Sequence, residues 1–241
     1  MSLDPAAGRC ASVYWCSRRT ATGSGGYACR FRRRRRGQRM SPSHVLEPTY
    51  NAIKHRLLVG HWPPGSRLEA ARLAADIGVS ITPIRDSLNH LAGERLVELM
   101  PGEGFRVPTL NAADLRDLLN LNQLLLLAAI DESDMPVTGS ADTVAMPDLA
   151  SATASLFLTI ASASGNGEIT MMVQSLNDRL HPFRQIDEAV LADAASELGA
   201  LRASFSLRTS RSNARHLLLR YHDVRKPEAD RYIKLLAKGR S

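Results

Sequence analysis

The chain has 241 residues, of which 44% are hydrophobic and 5% aromatic, and it carries a formal net charge of +7. This length allows one or two domains with a sizeable core, and the longest apolar run, residues 124–130, is far too short to span a membrane. Residues 1–39 hold ten Arg and one acid, Asp4, which gives +9 and leaves −2 for the rest of the chain. Outside this segment the chain is close to neutral, so any surface that binds a polyanion must be a local patch rather than a global field.

The N-terminal segment, residues 1–40, is rich in Arg, Gly and Ser and has little periodicity, which predicts a disordered basic tail. Its arginine run, residues 32–36, suits non-specific contacts with phosphates. It also superficially resembles an Arg-rich targeting peptide, but it lacks an apolar core and a clear amphipathic face. A plainer alternative is that the natural start is Met40. All three cysteines lie in this segment at spacings that match no zinc pattern, and a core without cysteine fits a reducing cytoplasm.

Three helices are predicted in residues 41–108. The first covers residues 50–60 and ends at Pro63 and Pro64, because consecutive prolines cannot continue a helix. The second covers about residues 69–77 and ends at Gly78, where a left-handed residue usually stops a helix.

The third helix begins at Ser80, whose hydroxyl can accept a backbone N–H that the helix leaves unpaired. Pro83 falls in its first turn, where a missing N–H costs nothing. Ile84, Leu88 and Leu91 form its apolar stripe, at helical spacing.

The side chains off this stripe are free to face a partner: Ile81, Thr82, Arg85 and Asn89. Two short strands follow, at residues 96–99 and 105–107, with Gly102 and Gly104 in the loop between them. The order of helix, Gly turn, helix and hairpin predicts a winged helix-turn-helix, in which the third helix enters a DNA major groove. The alternative is a small helical domain that does not bind DNA, since such domains also have amphipathic helices and Gly turns.

Residues 109–241 predict an all-helical second domain, so the chain as a whole is expected to be mainly α. Asn111 caps a helix that reaches about residue 130. This helix has more leucines than one buried stripe can hold, which indicates packing on two sides or across a dimer interface. Residues 133–148 read as a loop. The remaining helices are predicted at residues 150–163, 168–184, 186–206, 213–221 and 228–236.

Enzyme signatures are absent from the sequence. It contains no Gly-rich phosphate loop, no GxSxG, no HExxH and no pair of carboxylates with an evident catalytic arrangement. We therefore expect neither an enzymatic activity nor a cofactor.

Residues 49–107 resemble the winged helix-turn-helix domain of the GntR family of bacterial transcription regulators. The resemblance rests on the PGSRL run from Pro64, on the GVSITPIRDSL run from Gly78, and on the wing glycines Gly102 and Gly104. More weakly, residues 150–176 resemble the ligand-binding FCD domain of the FadR-like subgroup. The resemblance implies a homodimer on a short palindromic operator, a C-terminal domain that senses a small metabolite, and repression as the default.

The resemblance also implies which residues meet DNA. Positions that match Ser80, Thr82 and Arg85 contact phosphates and bases in the family, and the wing glycine that matches Gly102 approaches the minor groove. Arg can bond bidentately to a guanine edge, and Gly lets backbone approach closely. The expected DNA-binding set is Arg72, Ser80, Ile81, Thr82, Arg85, Asn89, Gly102 and Gly104.

Three positions depart from the family pattern. The family usually has Arg where this chain has Ile81, often has Arg at Ala71 (here Arg72 is the nearest base), and has Gly where this chain has Arg95. Each bidentate arginine supplies about 1–3 kcal/mol of discrimination, so their loss predicts weaker binding or an atypical operator. Ile81 can instead touch a thymine methyl.

The metal site of many FCD domains is not expected here. Those domains use an Asp, a His one helical turn later and two further His, and the matching positions are Thr153, Phe157, Ala200 and His222. One imidazole cannot hold a site that needs three or four ligands, so we predict no metal. We expect His222 to be a surface or packing histidine.

His181 and His216 have no partner at ligand spacing and get the same interpretation as His222. These departures leave one further alternative, a degenerate family member that acts as a dimerisation or scaffold protein. The effector, the operator sequence and the choice between repression and activation stay open.

Overall fold

The computed structural model describes residues 42–133, 148–206 and 211–238, and all side chains in these ranges except those of residues 42–45 and 206. The predicted basic tail lies outside the described residues, as does almost all of the predicted loop at 133–148. The elements are α1 (Pro42–Leu58), β1 (Arg67–Leu68), α2 (Ala70–Ile77), α3 (Ile81–Gly93), β2 (Glu98–Met100), β3 (Gly104–Arg106), α4 (Ala112–Glu132), α5 (Leu149–Ala163), α6 (Gly167–Arg184), α7 (Asp187–Val190), α8 (Ala194–Ser206), α9 (Arg211–Arg225) and α10 (Ala229–Lys238). This order confirms the predicted mainly α fold.

The elements from α1 to β3, which we call the winged region, surround one apolar core. Ile53 of α1, Leu73 of α2, and Ile84 and Leu88 of α3 are all buried in it. These residues recur at the three- and four-residue spacings that place side chains on one helix face. Burial of that face holds the three helices together.

The wing is a three-stranded antiparallel sheet with the order β1-β3-β2. The sequence predicted only the hairpin of β2 and β3. It missed β1, whose residue Arg67 pairs with Arg106. The predicted first wing strand also began too early, since Leu96 and Val97 are core residues and β2 begins after them.

Two further helix predictions need correction. Helix α1 begins at Pro42, well before the predicted residue 50, and contains Pro48. The predicted helix at 186–206 is two helices, α7 and α8, separated where Leu191 is extended with φ −125° and ψ 112°. A buried ion pair lies next to the break: Asp187, at the start of α7, pairs with Arg225 of α9.

The elements from α4 to α10, which we call the helical region, enclose two apolar clusters. One is centred on Leu126, Phe157 and Leu218, and the other on Leu115 and Leu180. Within the described part of the chain, no helix combines the length and apolarity needed to cross a membrane.

The start of α4 confirms the predicted cap. The Asn111 side-chain oxygen accepts the N–H groups of Ala113 (2.7 Å) and Asp114 (3.0 Å), and the Asp114 carboxylate accepts the Asn111 N–H (2.8 Å). This reciprocal capping box satisfies donors that a helix start otherwise leaves unpaired.

Lys54 of α1 joins the winged region to α6 of the helical region. Its ammonium group lies 2.8 Å from the Asp178 carboxylate and 2.9 Å from the Glu94 carboxylate. It also donates to the Tyr50 hydroxyl at 3.0 Å. The Lys54 ammonium group therefore binds carboxylates from both regions.

Candidate nucleic-acid interface and buried polar cluster

The turn between α2 and α3 is built around Gly78. This residue has φ 78° and ψ 32°, and its N–H donates to the Ala74 carbonyl at 2.9 Å. An L side chain is disfavoured at this φ, so glycine is the residue that ends α2 without strain. The turn fixes the direction in which α3 leaves.

Helix α3 has a buried face and an open one. Ile84, Ser87, Leu88 and Leu91 are buried, and the Ser87 hydroxyl donates to the Pro83 carbonyl at 2.7 Å. The opposite face carries the exposed predicted residues, which are Ile81, Thr82, Arg85 and Asn89. Ile81 retains 44% exposure, which is unusual for a large apolar side chain. The structure thus brings these four residues together on one accessible stripe.

Ser80 occupies the N-cap of α3, with φ −74° and ψ 164°, but its side chain makes no capping hydrogen bond. The predicted capping role of the hydroxyl is therefore wrong. The residue is exposed at the start of the open stripe.

The other predicted DNA contacts lie apart from the stripe. Gly102 and Gly104 are in the wing turn, with φ 77° and 87°. Arg72 is exposed on α2, where it lines a depression of about 240 Å³ together with Arg67 and Asp76. Sequence reasoning missed Arg67, because β1 is only two residues long.

Arg95 stands where a glycine was expected and has the matching backbone conformation. Its φ is 61°, and it is the one non-glycine residue with positive φ in the described chain. L-residues pay roughly 1–2 kcal/mol for this conformation. The turn therefore keeps the backbone conformation that glycine would adopt, and the arginine is strained in it.

A cluster of polar groups is buried in the helical region around Arg184. Its Nη1 donates to the Asn177 side-chain oxygen at 2.8 Å, and its guanidinium carbon lies 4.9 Å from the centre of the Phe157 ring. Arg184 is 3% exposed and has no carboxylate partner among the described residues. Its Nη2 and the Tyr221 hydroxyl are buried without a hydrogen-bond partner in that part of the chain.

Arg184 and Tyr221 both line a small cavity of about 10 Å³. That volume is close to the smallest that admits one water. Burial raises the pKa of the Tyr221 hydroxyl, although the neighbouring Arg225 and Arg184 oppose the shift. A neutral hydroxyl and a guanidinium thus offer hydrogen-bond donors to the same space.

His222 is fully buried beside this cluster. It is therefore a packing histidine, and the alternative of a surface histidine is wrong. Its Nδ1 lies 2.8 Å from the Leu218 carbonyl oxygen and its Nε2 lies 3.0 Å from the Asn122 side-chain oxygen. The Phe157 ring stacks on the imidazole, with centroids 5.9 Å apart. Burial lowers the pKa of His222 to about 3, with nearby cations contributing.

The other positions that match family metal ligands are unsuited to a metal. Thr153 donates its hydroxyl to the Leu149 carbonyl at 2.8 Å, and Ala200 is exposed on α8. Within the described ranges, no group of three or more His, Cys, Asp or Glu could hold an ion.

A second buried ionic group lies between α7, α8 and α9. The Arg225 guanidinium donates to the Asp187 carboxylate from Nη2 at 2.9 Å and from Nε at 3.1 Å. It also donates to Glu197 at 2.6 Å, and the Tyr232 hydroxyl donates to Asp187 at 2.5 Å. This group is internally paired, unlike Arg184.

Sequence reasoning missed these buried polar residues, although a signal was present. Asn177 and Arg184 continue the apolar stripe of Val173 and Leu180 at helical spacing. Asn122 does the same on α4. Polar residues at core positions of an amphipathic pattern indicate a buried polar network.

The fold and the open α3 stripe define the class: a winged helix-turn-helix followed by a helical region. The sequence model of the family described as "Bacterial regulatory proteins, gntR family" matches residues 47–107. The winged region is thus similar to the winged helix-turn-helix domain of that family.

Curated relatives agree with this assignment. The chain is 34% identical over 80 residues to the HTH-type transcriptional regulator McbR of Escherichia coli, covering 33% of this chain and 36% of McbR. It is 33% identical over 89 residues to the uncharacterized HTH-type transcriptional regulator YdhC of Bacillus subtilis, covering 35% of this chain and 40% of YdhC. The matches therefore span well under half of these relatives.

Solved structures extend the likeness in fold to most of the chain. E. coli McbR/YncC aligns with a TM-score of 0.59 at 22% identity, covering 77% of this chain and 97% of that one. A putative GntR regulator from Rhodococcus sp. RHA1 aligns with a TM-score of 0.65 at 19% identity, covering 76% and 96%. Together the comparisons show that the winged region is similar to that of GntR-family regulators, and that about three quarters of the chain shares the fold of these two solved structures.

Proposed function

We propose that the protein is a dimeric, sequence-specific DNA-binding repressor of the bacterial cytoplasm that responds to a small metabolite, and that it is not an enzyme. The observation that carries this proposal is the exposed stripe of α3 in a domain that matches the GntR family. We place the boundary between the DNA-binding and effector domains at Pro108. Repression is supported by the name of one relative, the HTH-type transcriptional repressor GlaR of E. coli, which is 27% identical over 85 residues.

On DNA, each predicted residue has a distinct role. Arg85 reads a guanine edge in the major groove, and Ile81 packs on a thymine methyl. Ser80 and Thr82 bond phosphates through exposed hydroxyls, and Asn89 lies one turn beyond Arg85 on the same stripe. The wing glycines, Gly102 and Gly104, bring backbone towards the minor groove, and Arg72 contacts the phosphate backbone from α2.

The test is a titration of the full chain against DNA from its own upstream region, with random DNA as competitor and salt varied. A regulator shows saturable specific binding with a steep salt dependence. Arg85→Ala should weaken the specific component by about 1–3 kcal/mol, roughly 5- to 150-fold. Arg220→Ala, which removes an exposed arginine of α9, is the matched control and should leave both components unchanged.

The same titration separates the alternative, a degenerate scaffold protein. Binding indistinguishable from that to random DNA would favour that alternative and overturn the proposal. Unchanged operator affinity in Arg85→Ala would show that α3 does not read the operator.

The homodimer is supported by apolar side chains left exposed on α4. Leu124 is 65% exposed and Leu121 is 37% exposed, although four of the eight leucines of this helix are buried. We expect Leu124→Glu to shift the sedimentation of the full chain from dimer to monomer. Leu99→Glu, at a leucine that is 58% exposed in the wing, should leave the dimer intact.

We further propose that the helical region is of the FCD type and that the metabolite binds in it at the cluster of Arg184 and Tyr221. A buried guanidinium without a carboxylate partner is costly, and an acidic ligand group would compensate it. The cavity lined by these two residues is far smaller than an organic acid, so binding requires the surrounding helices to move, which would relay the signal.

Two measurements test this assignment. Elemental analysis of the purified full chain should find no stoichiometric zinc, manganese or nickel; one metal per helical region would refute the metal-free site. Small mono- and dicarboxylates should raise the melting temperature of the wild type but not of Arg184→Met. Equal shifts in both proteins would exclude Arg184 as the ligand's partner.

A further inference from the structure

A second, larger cavity lies between the winged region and the helical region. Its volume is about 370 Å³, which falls within the range of small-molecule pockets. Leu57, Trp62 and Leu96 line it from the winged region, and Phe183, Ile233 and Leu236 line it from α6 and α10. Its walls are therefore apolar and are supplied by two parts of the chain.

Two arginines, exposed Arg95 and half-buried Arg179, also line this cavity. Neither guanidinium makes an ion pair or a hydrogen bond with any residue that the structure describes. Burial lowers the pKa of the Arg179 guanidinium and the nearby Arg95 charge lowers it further, while Asp114 opposes the shift. The two like charges thus interact without an anion between them.

The acid that lines the cavity is already compensated. The Asp178 carboxylate lies 2.8 Å from the Lys54 ammonium and accepts the Gln174 amide at 3.1 Å. The net character of the polar lining is therefore cationic.

The backbone at Arg95 strengthens the case for a ligand. Glycine would adopt its φ of 61° without strain, whereas an L side chain adopts it rarely. Compared with glycine, the arginine at this turn adds a guanidinium beside an apolar cavity. Strained residues of this kind concentrate at ligand sites.

We propose that this cavity binds an amphipathic monocarboxylate, with its apolar body between Trp62 and Phe183 and its carboxylate between Arg95 and Arg179. Charge-assisted hydrogen bonds from two guanidiniums match a single carboxylate. Because the walls belong to both regions, the ligand fixes their relative orientation and hence the presentation of α3. This last step rests on the proposed DNA-binding function, whereas the binding itself does not.

The test is calorimetric titration of the full chain, without DNA, with octanoate as probe. We expect one octanoate per chain that depends on Arg95 and Arg179, no acetate binding that depends on these two residues, and binding of 1-octanol at least tenfold weaker. Acetate has the charge without the apolar body, and 1-octanol has the body without the charge. Arg95→Gly and Arg179→Gln should each weaken octanoate at least tenfold, and should leave the affinity for 1-octanol unchanged.

Arg95→Gly also guards against a trivial loss through unfolding. Because it relieves a strained φ, this variant should melt roughly 2–4 °C above the wild type while binding octanoate less well. Arg220→Gln, which changes an exposed arginine of α9, should bind octanoate as the wild type does.

Several outcomes would overturn the proposal. One is the absence of saturable octanoate binding, and another is equal affinity in the wild type and both cavity variants. A loss confined to Arg184→Met would place octanoate in the inner cluster instead. In the presence of operator DNA, octanoate should change the operator affinity at least threefold, and an unchanged affinity would overturn the coupling while leaving the site intact.

Discussion

The buried His222 should make the protein lose stability in mild acid. Burial lowers the pKa of the native imidazole from 6.5 to about 3, and three nearby cations add to this effect. The ring is therefore neutral at physiological pH. In that form Nδ1–H donates to the Leu218 carbonyl, whereas Nε2 needs a donor. A flip of the Asn122 amide supplies it, because the flip exchanges the oxygen that lies 3.0 Å from Nε2 for the amide nitrogen, which has no partner among the described residues.

The magnitude follows from the difference between the two pKa values. The contribution of His222 to stability is fully present above pH 6.5 and is lost as the pH falls towards 3, because only the unfolded ring takes up a proton in that window. Each pH unit there costs about 1.4 kcal/mol. Lowering the pH from about 7.5 to about 5 should therefore cost about 2 kcal/mol of unfolding free energy.

Urea unfolding of the wild type and of His222→Gln at these two pH values measures the effect. The glutamine does not titrate, so the pH-dependent loss in the variant reports all other groups, and the wild type should lose about 2 kcal/mol more. His216→Gln, on the exposed face of α9, should retain the wild-type loss. An equal loss in the wild type and His222→Gln would refute the reasoning, since it would mean that the native ring is charged between Leu218 and Asn122.

Three further substitutions test other parts of the structure. Asp187→Asn leaves the buried Arg225 without its main carboxylate and should cost about 3–5 kcal/mol in urea unfolding; a loss under about 1 kcal/mol would show that Glu197 suffices. Asn111→Ala removes the capping box of α4 and should cost about 1 kcal/mol, whereas Asn111→Ser should retain most of it; equal losses would assign the effect to something other than the cap. Ile81→Arg should leave stability within about 0.5 kcal/mol of the wild type and steepen the salt dependence of DNA binding by about one counterion; an unchanged slope would place Ile81 away from the phosphates.

The parts of the fold that depend on neighbouring residues could be predicted from the sequence. Gly78 ends α2 and Asn111 starts α4 through contacts within a few residues, and both were predicted correctly. The exposed stripe around Arg85 followed from one helical period. Whether these residues contact DNA stays a prediction.

The parts that depend on distant partners could not be predicted. Strand β1 exists because Arg67 pairs with Arg106, which is far along the chain. The break between α7 and α8 accompanies the contact of Asp187 with Arg225, which comes from another helix. The unpaired donors of Arg184 become visible only when the side chains packed around them are known.

The position of Lys54 has a consequence for how the protein unfolds. Its side chain is 20% exposed, and its ammonium group binds Glu94 of the winged region and Asp178 of the helical region at once. Separation of the two regions would leave Asp178 without its cation and expose the apolar walls of the cavity between them. Heat should therefore melt both regions in a single calorimetric transition, and helix α3 should share the cooperativity of the two regions.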